Sequence, residues 1–213
     1  MGQLPLKEKK SYLVIKLRSF CIELADLIYR AFPESKGIFL YRNAENVVQS
    51  SIPAFAYIRT RLKAIADNTE MYSKFIPLLK DYAKYIDFND SNATDLYTTL
   101  WLSVMQCYLL LEEQGILAYA IRYEDMIADP EQVVSFIFKY CKLPISEVAN
   151  ACQVFEKDSQ TGSTLSRESI RNNYYEQLPD MLEVSQKVNR LLQKHPKIKT
   201  PDFIVPGTLS FSR

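Results

Sequence analysis

The segment GIFLYRNAENVVQS, residues 37–50, decides how the rest of the chain is interpreted. Its uninterrupted apolar run ends at Tyr41, and such a run is typical of a strand buried on both faces of a parallel sheet. Arg42 follows at once, and a helical pattern begins within two or three residues. In open α/β sheets, ligands bind beyond the carboxyl ends of the strands. Arg42, with Ser50 in the early turns of the helix, therefore predicts an anion site, most simply for a phosphate.

The flanking residues complete an alternation of strands and helices. An apolar run at 12–15 predicts a short strand, a helical pattern covers 20–32, and the strand at 37–41 then closes a βαβ unit. A third apolar run, 116–121, follows a long helix predicted over 94–114. We therefore predict an α/β fold with three layers, in which helices flank a mostly parallel sheet.

Smaller sequence signals set the limits of several helices. Pro53 and Pro77 each predict a kink or break in a helical pattern, because proline lacks a backbone N–H donor. Asp129 and Pro130 have the order expected of a helix cap and a first helical residue. The polar stretch 157–171, with no apolar periodicity, predicts a surface loop that a ligand could order.

Length and composition predict one globular domain. The chain has 213 residues, of which 47% are hydrophobic and 24% charged, and its formal net charge is +1. We divide it into a lead-in (1–11), a main region (12–171) and a C-terminal helix with a tail (172–213). The small net charge argues against a nucleic-acid partner. The longest uncharged run, 96–111, is shorter than the roughly 20 residues of a membrane span.

The cysteines and the single histidine give no sign of a metal site. Four cysteines lie far apart without paired spacing, in apolar or helical contexts, and predict buried free thiols. His195 lies at a polar helix end near the C-terminus and predicts a surface residue. We expect no metal, because zinc sites are usually built from several His and Cys ligands.

The three predicted strands all end in polar side chains. In a parallel sheet their carboxyl ends share one edge, so these clusters are expected to converge on a single crevice. For any one cluster, the alternative is a surface ion pair worth about 0–1 kcal/mol. The clusters are Lys16 with Arg18, Arg42 with Asn43, and Arg122 with Tyr123 and Glu124.

Two of these strand ends resemble the sulfotransferase family. Residues 39–43, followed by Val47-Val48 and Ser50, resemble the 3′-phosphate-binding segment of enzymes that use 3′-phosphoadenosine 5′-phosphosulfate (PAPS) as sulfuryl donor. Residues 122–126, followed by Asp129-Pro130, resemble the family's later strand end and helix start. The resemblance implies a P-loop NTPase-like fold and PAPS as co-substrate.

The resemblance also implies roles for individual residues. Arg42 and Ser50 would bind the 3′-phosphate, and Tyr123 would contact the adenine. The polar loop with Thr161, Gly162 and Ser163 occupies the place of the late loop that closes over the nucleotide. Lys16 is the candidate general base, and the implied reaction transfers a sulfuryl group to a hydroxyl or amine. The acceptor would be a small molecule or a carbohydrate.

One part of the family pattern is missing. Sulfotransferases bind the 5′-phosphosulfate with a glycine-containing loop and a lysine after their first strand, in the middle of the sheet. Three explanations stay open: a truncated sequence, which is the most economical, a substitute strand from elsewhere in the chain, or a sheet re-paired across the gap. None of the chain's glycines follows an early strand; they are Gly2, Gly37, Gly115, Gly162 and Gly207.

The missing loop keeps several functions open. One alternative is a non-catalytic sulfotransferase-like binding or scaffold protein, and another is an incomplete fragment of an active enzyme. A P-loop kinase or GTPase relative ranks lower, because no Walker lysine loop is visible. A purely helical interaction protein would leave the strands unexplained. The chain as it stands predicts a cytoplasmic protein, with the Golgi lumen as the alternative if an N-terminal anchor is missing. The sequence predicts no oligomeric state.

Overall fold

The computed structural model describes residues 13–116, 118–158, 161–162, 166, 168–169 and 180–210. Within these ranges the fold is mixed α/β and mostly helical. Short 3₁₀ turns precede or follow several of the helices. The strands are β1 (Gly37–Tyr41) and β2 (Ala118–Arg122), and the α-helices are α1 (Ala25–Ala31), α2 (Ala44–Ala54), α3 (Leu62–Asp67), α4 (Thr69–Tyr72), α5 (Leu79–Tyr82), α6 (Thr94–Glu113), α7 (Tyr123–Ala128), α8 (Pro130–Tyr140), α9 (Val148–Cys152) and α10 (Met181–Leu192).

The sheet is smaller than the sequence predicts. β1 and β2 pair in parallel along their whole length, from Gly37 opposite Ala118 to Tyr41 opposite Arg122. One isolated parallel bridge joins Ala120 of β2 to Thr208 in the C-terminal tail. Among the described residues, the two strands that carry the sequence motifs are thus direct neighbours, which corresponds to a sheet re-paired across the gap. The wider, mostly parallel sheet of our prediction is not formed there.

The predicted first strand is absent from residues 13–15, and Tyr12 lies outside the described residues. Leu13, Val14 and Ile15 are 85%, 80% and 66% exposed, and residues 13–18 have no regular structure. An apolar run predicts that a segment tends to be buried, but a strand also needs a neighbouring strand to bond to its backbone. The helical pattern that follows is present as a 3₁₀ turn, Ser19–Leu24, and α1.

Helices lie against both faces of the two-stranded sheet. Phe39 of β1 stacks on Tyr108 of α6, with ring centroids 4.5 Å apart. Tyr119 of β2 meets Phe136 of α8 edge to face at 5.2 Å. Phe39 and Tyr119 differ by one position in the strand register, so their side chains point to opposite faces. β1 is only partly buried, because Leu40 is half exposed. The prediction that this strand is buried on both faces is therefore only partly correct.

The main core lies where α2, α6 and α10 pack together. Val48, Leu102 and Leu191, one from each helix, are fully buried there. Burying each such side chain contributes about 1.5–3 kcal/mol relative to leaving it in water. The same core extends from Tyr41 in β1 to Val205 in the tail, so the C-terminal residues pack with the motif-bearing strands.

Most of the predicted helix limits are confirmed. α2 begins at Ala44, within the predicted two or three residues of Arg42, and the Asp129 carboxylate, the predicted cap, accepts a hydrogen bond from the Gln132 amide at the start of α8. Gly115 follows α6 with a φ of +72°, a conformation that glycine adopts without strain. Pro77 lies between α4 and α5 as predicted, whereas α2 continues one residue past Pro53.

His195 is buried, which corrects its prediction as a surface residue. It is 2% exposed. Its Nδ1 accepts from the amides of Lys197 and Ile198, and its Nε2 lies 3.0 Å from the side-chain oxygen of Gln106. This pattern places the single proton of the neutral ring on Nε2. Burial, together with the nearby cations Lys199 and Lys197, lowers the pKa of His195.

The cysteines and two global properties complete the fold. The four cysteines are free thiols, as predicted, but each is only partly buried. In the part of the chain that the structure describes, no group of three or more His, Cys, Asp or Glu side chains is arranged to hold a metal ion. No helix in those ranges combines the length and apolar character needed to cross a bilayer.

Candidate functional site

The polar residues that follow β1 and β2 meet at one edge of the sheet. Because Tyr41 lies opposite Arg122 in the register, the residues after both strands emerge side by side. The guanidinium carbon of Arg42 lies 5.0 Å from the centre of the Tyr123 ring, which is a cation–π contact. Its Nε lies 4.0 Å from Oε1 of Glu124. We call this edge, with Arg42, Asn43, Arg122, Tyr123 and Glu124, the strand-end site.

Glu124 ties the end of β2 to the start of α2. Its Oε1 accepts the backbone N–H of Asn43 at 3.1 Å and the side-chain amide of Asn46 at 3.2 Å. The 4.0 Å separation from Arg42 is too long for a hydrogen bond. Its second oxygen, Oε2, is buried and has no hydrogen-bond partner among the described residues. Glu124 therefore attracts Arg42 electrostatically without using any of its N–H groups.

Arg42 has a fixed backbone and an available guanidinium. Its carbonyl oxygen accepts a 2.9 Å hydrogen bond from the indole N–H of Trp101 in α6. Its Nε is buried without a hydrogen-bond partner in the described structure, and its side chain as a whole is 38% exposed. A buried donor that lacks a partner costs roughly 1–3 kcal/mol, and an anion can remove that cost by accepting the bond. The guanidinium fork also matches the geometry of a phosphate group.

The start of α2 is capped by groups of the protein itself. The side-chain oxygen of Asn43 accepts from the amides of Glu45 at 2.9 Å and Asn46 at 3.4 Å. The carbonyl oxygen of Pro201 accepts the Ala44 amide at 2.9 Å. In this arrangement the first amides of α2 are already paired, so Arg42 is the main donor that a ligand would meet.

Asp202 from the C-terminal tail occupies the other side of the strand-end site. Its Oδ1 accepts from Nη2 of Arg122 at 2.5 Å and from the side-chain amide of Asn43 at 3.2 Å. One carboxylate thus bridges the residues that end the two strands. The site contains two arginines and two carboxylates, but only the Arg122–Asp202 pair is hydrogen-bonded.

A comparison with protein-family models gives one match, described as "Sulfotransferase family", over residues 4–147. This match covers more than half of the chain and both strand ends of the site. The chain belongs to the sulfotransferase family. Comparisons with curated proteins and with solved structures give no match.

Membership in this family confirms the resemblance read from the two strand ends and supports sulfuryl-transfer chemistry in general. The family match ends before the polar loop with Thr161 and before the tail with Asp202. The structural roles of those two segments therefore rest on the contacts of this chain alone.

Ser50 lies in the second turn of α2 and is exposed. Its hydroxyl donates a 2.9 Å hydrogen bond to the carbonyl oxygen of Val47. Ser51 makes the same kind of bond to the same carbonyl, at 2.8 Å, from a partly buried position. No contact between Ser50 and Arg42 is formed in the described structure, so the two predicted phosphate ligands share α2 and its start but do not touch.

The remaining predicted residues are not brought to the strand-end site. Lys16 is exposed in the irregular segment 13–18, so the strand that would have carried it to the edge is missing there. Thr161 and Gly162 are exposed in a turn, in which the Thr161 amide bonds to the Asp158 carbonyl at 3.1 Å. Ser163 lies outside the described residues. The roles predicted for these four residues stay predictions.

Sequence reasoning missed the two residues that complete the site. Trp101 is the only tryptophan of the chain, and a buried indole N–H needs an acceptor, which could have indicated that it bonds at a functional position. Asp202 gave no usable signal, because nothing in the tail sequence shows that it returns to the ends of β1 and β2.

Burial raises the pKa of Tyr41, the last residue of β1, although its hydroxyl is hydrogen-bonded to Thr208 of the same tail.

Proposed function

We propose that this protein is a PAPS-dependent sulfotransferase whose strand-end site holds the 3′-phosphate of the nucleotide. The observation that carries the proposal is the state of Arg42. Its guanidinium packs over Tyr123, and its buried Nε has no partner among the described residues, at the carboxyl ends of two parallel strands. This is the edge at which open α/β sheets bind ligands. Family membership supplies the chemistry, since sulfotransferases in general use PAPS.

Within this proposal each predicted residue has a stated role. Arg42 forms charge-assisted hydrogen bonds to the 3′-phosphate, and the Ser50 hydroxyl adds one more from the exposed side of α2. Tyr123 carries Arg42 against one face of its ring, and the adenine contacts the ring from the side that Arg42 leaves open. Thr161, Gly162 and Ser163 belong to a loop that closes over the nucleotide. We further propose that residues 1–213 form one sulfotransferase-like domain.

The proposed reaction is an in-line transfer. The acceptor's oxygen or nitrogen forms a bond to sulfur while the bond between sulfur and the 5′-phosphate oxygen breaks. The electron pair of that bond leaves with adenosine 3′,5′-bisphosphate, and a general base, for which Lys16 is the candidate, takes the acceptor's proton. As in phosphoryl transfer, positioning and charge stabilisation would supply most of the rate. The acceptor is a hydroxyl or amine of a small molecule or carbohydrate.

A second function is binding without transfer. The observation that favours it is the direct pairing of β1 with β2, which leaves no phosphate-loop strand between them in the described ranges. Such a protein would hold the 3′-phosphate end of the nucleotide and leave the phosphosulfate unactivated. The two functions share the strand-end site and differ only in turnover.

Binding is tested with adenosine 3′,5′-bisphosphate by calorimetry and thermal shift. We expect wild-type protein to bind it and Arg42→Ala to lose at least tenfold in affinity, because charged hydrogen bonds contribute about 1.5–3 kcal/mol. Adenosine 5′-monophosphate, which lacks the 3′-phosphate, should show little dependence on Arg42. Equal binding of the bisphosphate to wild type and Arg42→Ala would overturn the proposed site.

Ser50 is tested against its neighbour. Ser50→Ala should weaken binding of the bisphosphate about two- to fivefold, whereas Ser51→Ala should leave it unchanged. The two serines donate to the same carbonyl, so the pair controls for any loss of helix stability. Transfer of label from [³⁵S]PAPS to a panel of hydroxyl and amine acceptors then separates the two functions. Binding without turnover on every acceptor would favour the non-catalytic alternative.

A further inference from the structure

We propose that Asp202 is an internal anion of the strand-end site and limits it to a single free arginine. Its carboxylate holds Arg122 and Asn43, so that a ligand phosphate meets only Arg42. This inference rests on the proposed function and goes beyond it, because it assigns a specificity-determining role to a residue outside the family match.

The first step is a difference between the two arginines. Arg122 ends β2 opposite Tyr41, and Arg42 comes one position later, after the end of β1. Two unpaired guanidinium groups at one sheet edge would attract multiply charged anions with little discrimination. Arg122 is hydrogen-bonded to the Asp202 carboxylate at 2.5 Å, whereas Arg42 stays 4.0 Å from the Glu124 carboxylate. Asp202 therefore neutralises one of the two arginines at this edge and leaves the other available.

The second step is the way the tail is held. The Tyr108 hydroxyl donates to the Pro206 carbonyl at 2.9 Å, and the Leu209 amide donates to the carbonyl of Ala120 at 3.0 Å. Val205 is buried in the main core. These contacts hold the backbone after Asp202, and the Ala44 amide, which donates to the Pro201 carbonyl, holds the residue before it. None of them involves the Asp202 carboxylate, so the carboxylate can be changed while the tail stays in place.

The third step is exposure. The Asp202 side chain is 59% exposed, although it makes two hydrogen bonds. Its partner Arg122 is 18% exposed, so only one side of the ion pair lies at the surface. A negative charge at this position repels an approaching phosphate and occupies donors that the phosphate could use. Asp202→Asn therefore changes the charge at an exposed position while leaving an amide that can still accept from Arg122.

The test compares Asp202→Asn with wild type, using adenosine 3′,5′-bisphosphate and inorganic sulfate as probes at low and high salt. We expect the variant to bind the bisphosphate roughly threefold or more tightly at low salt, with a smaller gain at high salt, where charges are screened. Sulfate binding should increase in the same direction. The double variant Asp202→Asn/Arg122→Gln should lose the gain, because the freed guanidinium is its source.

The matched control is Glu113→Gln. Glu113 forms an ion pair with Lys197 at 2.6 Å and is 51% exposed, so this variant changes the net charge equally at a carboxylate of similar exposure. If Glu113→Gln gains as much affinity as Asp202→Asn, the gain comes from the change in net charge alone, and the inference is overturned. The inference would also be overturned if the wild type binds the bisphosphate through Arg42 and Asp202→Asn binds it with the same affinity.

The proposed function fails in a different way. If the bisphosphate shows no Arg42-dependent binding in either wild type or Asp202→Asn, both the function and the inference are wrong. If binding appears only in Asp202→Asn and is lost again in Arg42→Ala/Asp202→Asn, the proposed function of the wild-type protein is wrong and the inference is supported, because the internal anion then excludes the ligand. The melting temperature of each variant, measured without ligand, verifies that the fold is retained.

Discussion

Two clusters of charged side chains connect distant parts of this chain, and they use their hydrogen-bonding groups differently. At the start of α6, the fully buried Asp95 carboxylate is held by Nη2 of Arg190 at 2.5 Å and by the Asp87 amide at 2.9 Å. At the strand-end site, Arg42 packs over Tyr123 and its Nε has no partner among the described residues. The first cluster pairs one oxygen of a buried carboxylate with two donors, although Oδ1 of Asp95 has no partner among the described residues, and the second cluster leaves donors of an arginine available.

This difference separates a structural ion pair from a candidate binding site. A buried carboxylate must be compensated by the protein, because its desolvation is costly even in the unliganded state. An arginine that is partly exposed can leave a donor unused at lower cost, since part of its side chain still reaches water. Composition alone does not distinguish the two clusters, because each contains arginine and carboxylate side chains. Substitutions in the two clusters test the distinction, and the larger effect is expected in the first cluster.

Arg190→Met should lower the free energy of unfolding by about 2–3 kcal/mol, because it leaves the buried Asp95 charge with a single backbone donor. Urea unfolding at neutral pH measures the loss. Lys197→Met is the control, since its ion pair with Glu113 is exposed on both sides and should contribute less than about 1 kcal/mol. The double variant Asp95→Asn/Arg190→Met should recover part of the stability. Equal losses in the two single variants would contradict the distinction.

Tyr123→Leu should weaken binding of adenosine 3′,5′-bisphosphate about fivefold or more, because stacking and cation–π contacts each contribute about 1 kcal/mol. Unfolding in urea should change by less than about 0.5 kcal/mol, as Tyr123 is not in the core. The control is Tyr57→Leu, which removes another exposed ring. A loss of stability without a loss of affinity would make Tyr123 a packing residue.

His195→Asn should flatten the pH dependence of stability in the mildly acidic range. Because the pKa of His195 is lowered in the folded protein, the unfolded chain takes up a proton first as the pH falls below about 6.5. Stability should therefore decrease from that pH downward and level off below the folded-state pKa. Melting temperatures from pH 5 to 7.5 measure the slope. An unchanged slope in the variant would assign the pH dependence to other groups.

The sequence by itself determined the local elements around the strand-end site and the family of the chain. The apolar run that ends at Tyr41 is β1, α2 begins two residues after Arg42, and Gly115 ends α6 with the positive φ that glycine permits. These features depend on the spacing of apolar residues and on backbone chemistry within a few positions. For the same reason, two of the three predicted polar strand ends were correctly expected to meet.

Only the tertiary structure decided which segments pair and which charges are used. The apolar residues 13–15 have a strand's composition but lie exposed, because a strand forms only against a partner with free backbone groups. The burial of His195 and the return of Asp202 to Arg122 depend on how the tail docks against β2 and α6. Contacts between residues 80 positions apart leave no local pattern in the sequence, so sequence reasoning could predict Arg42 but could not identify the anion beside it.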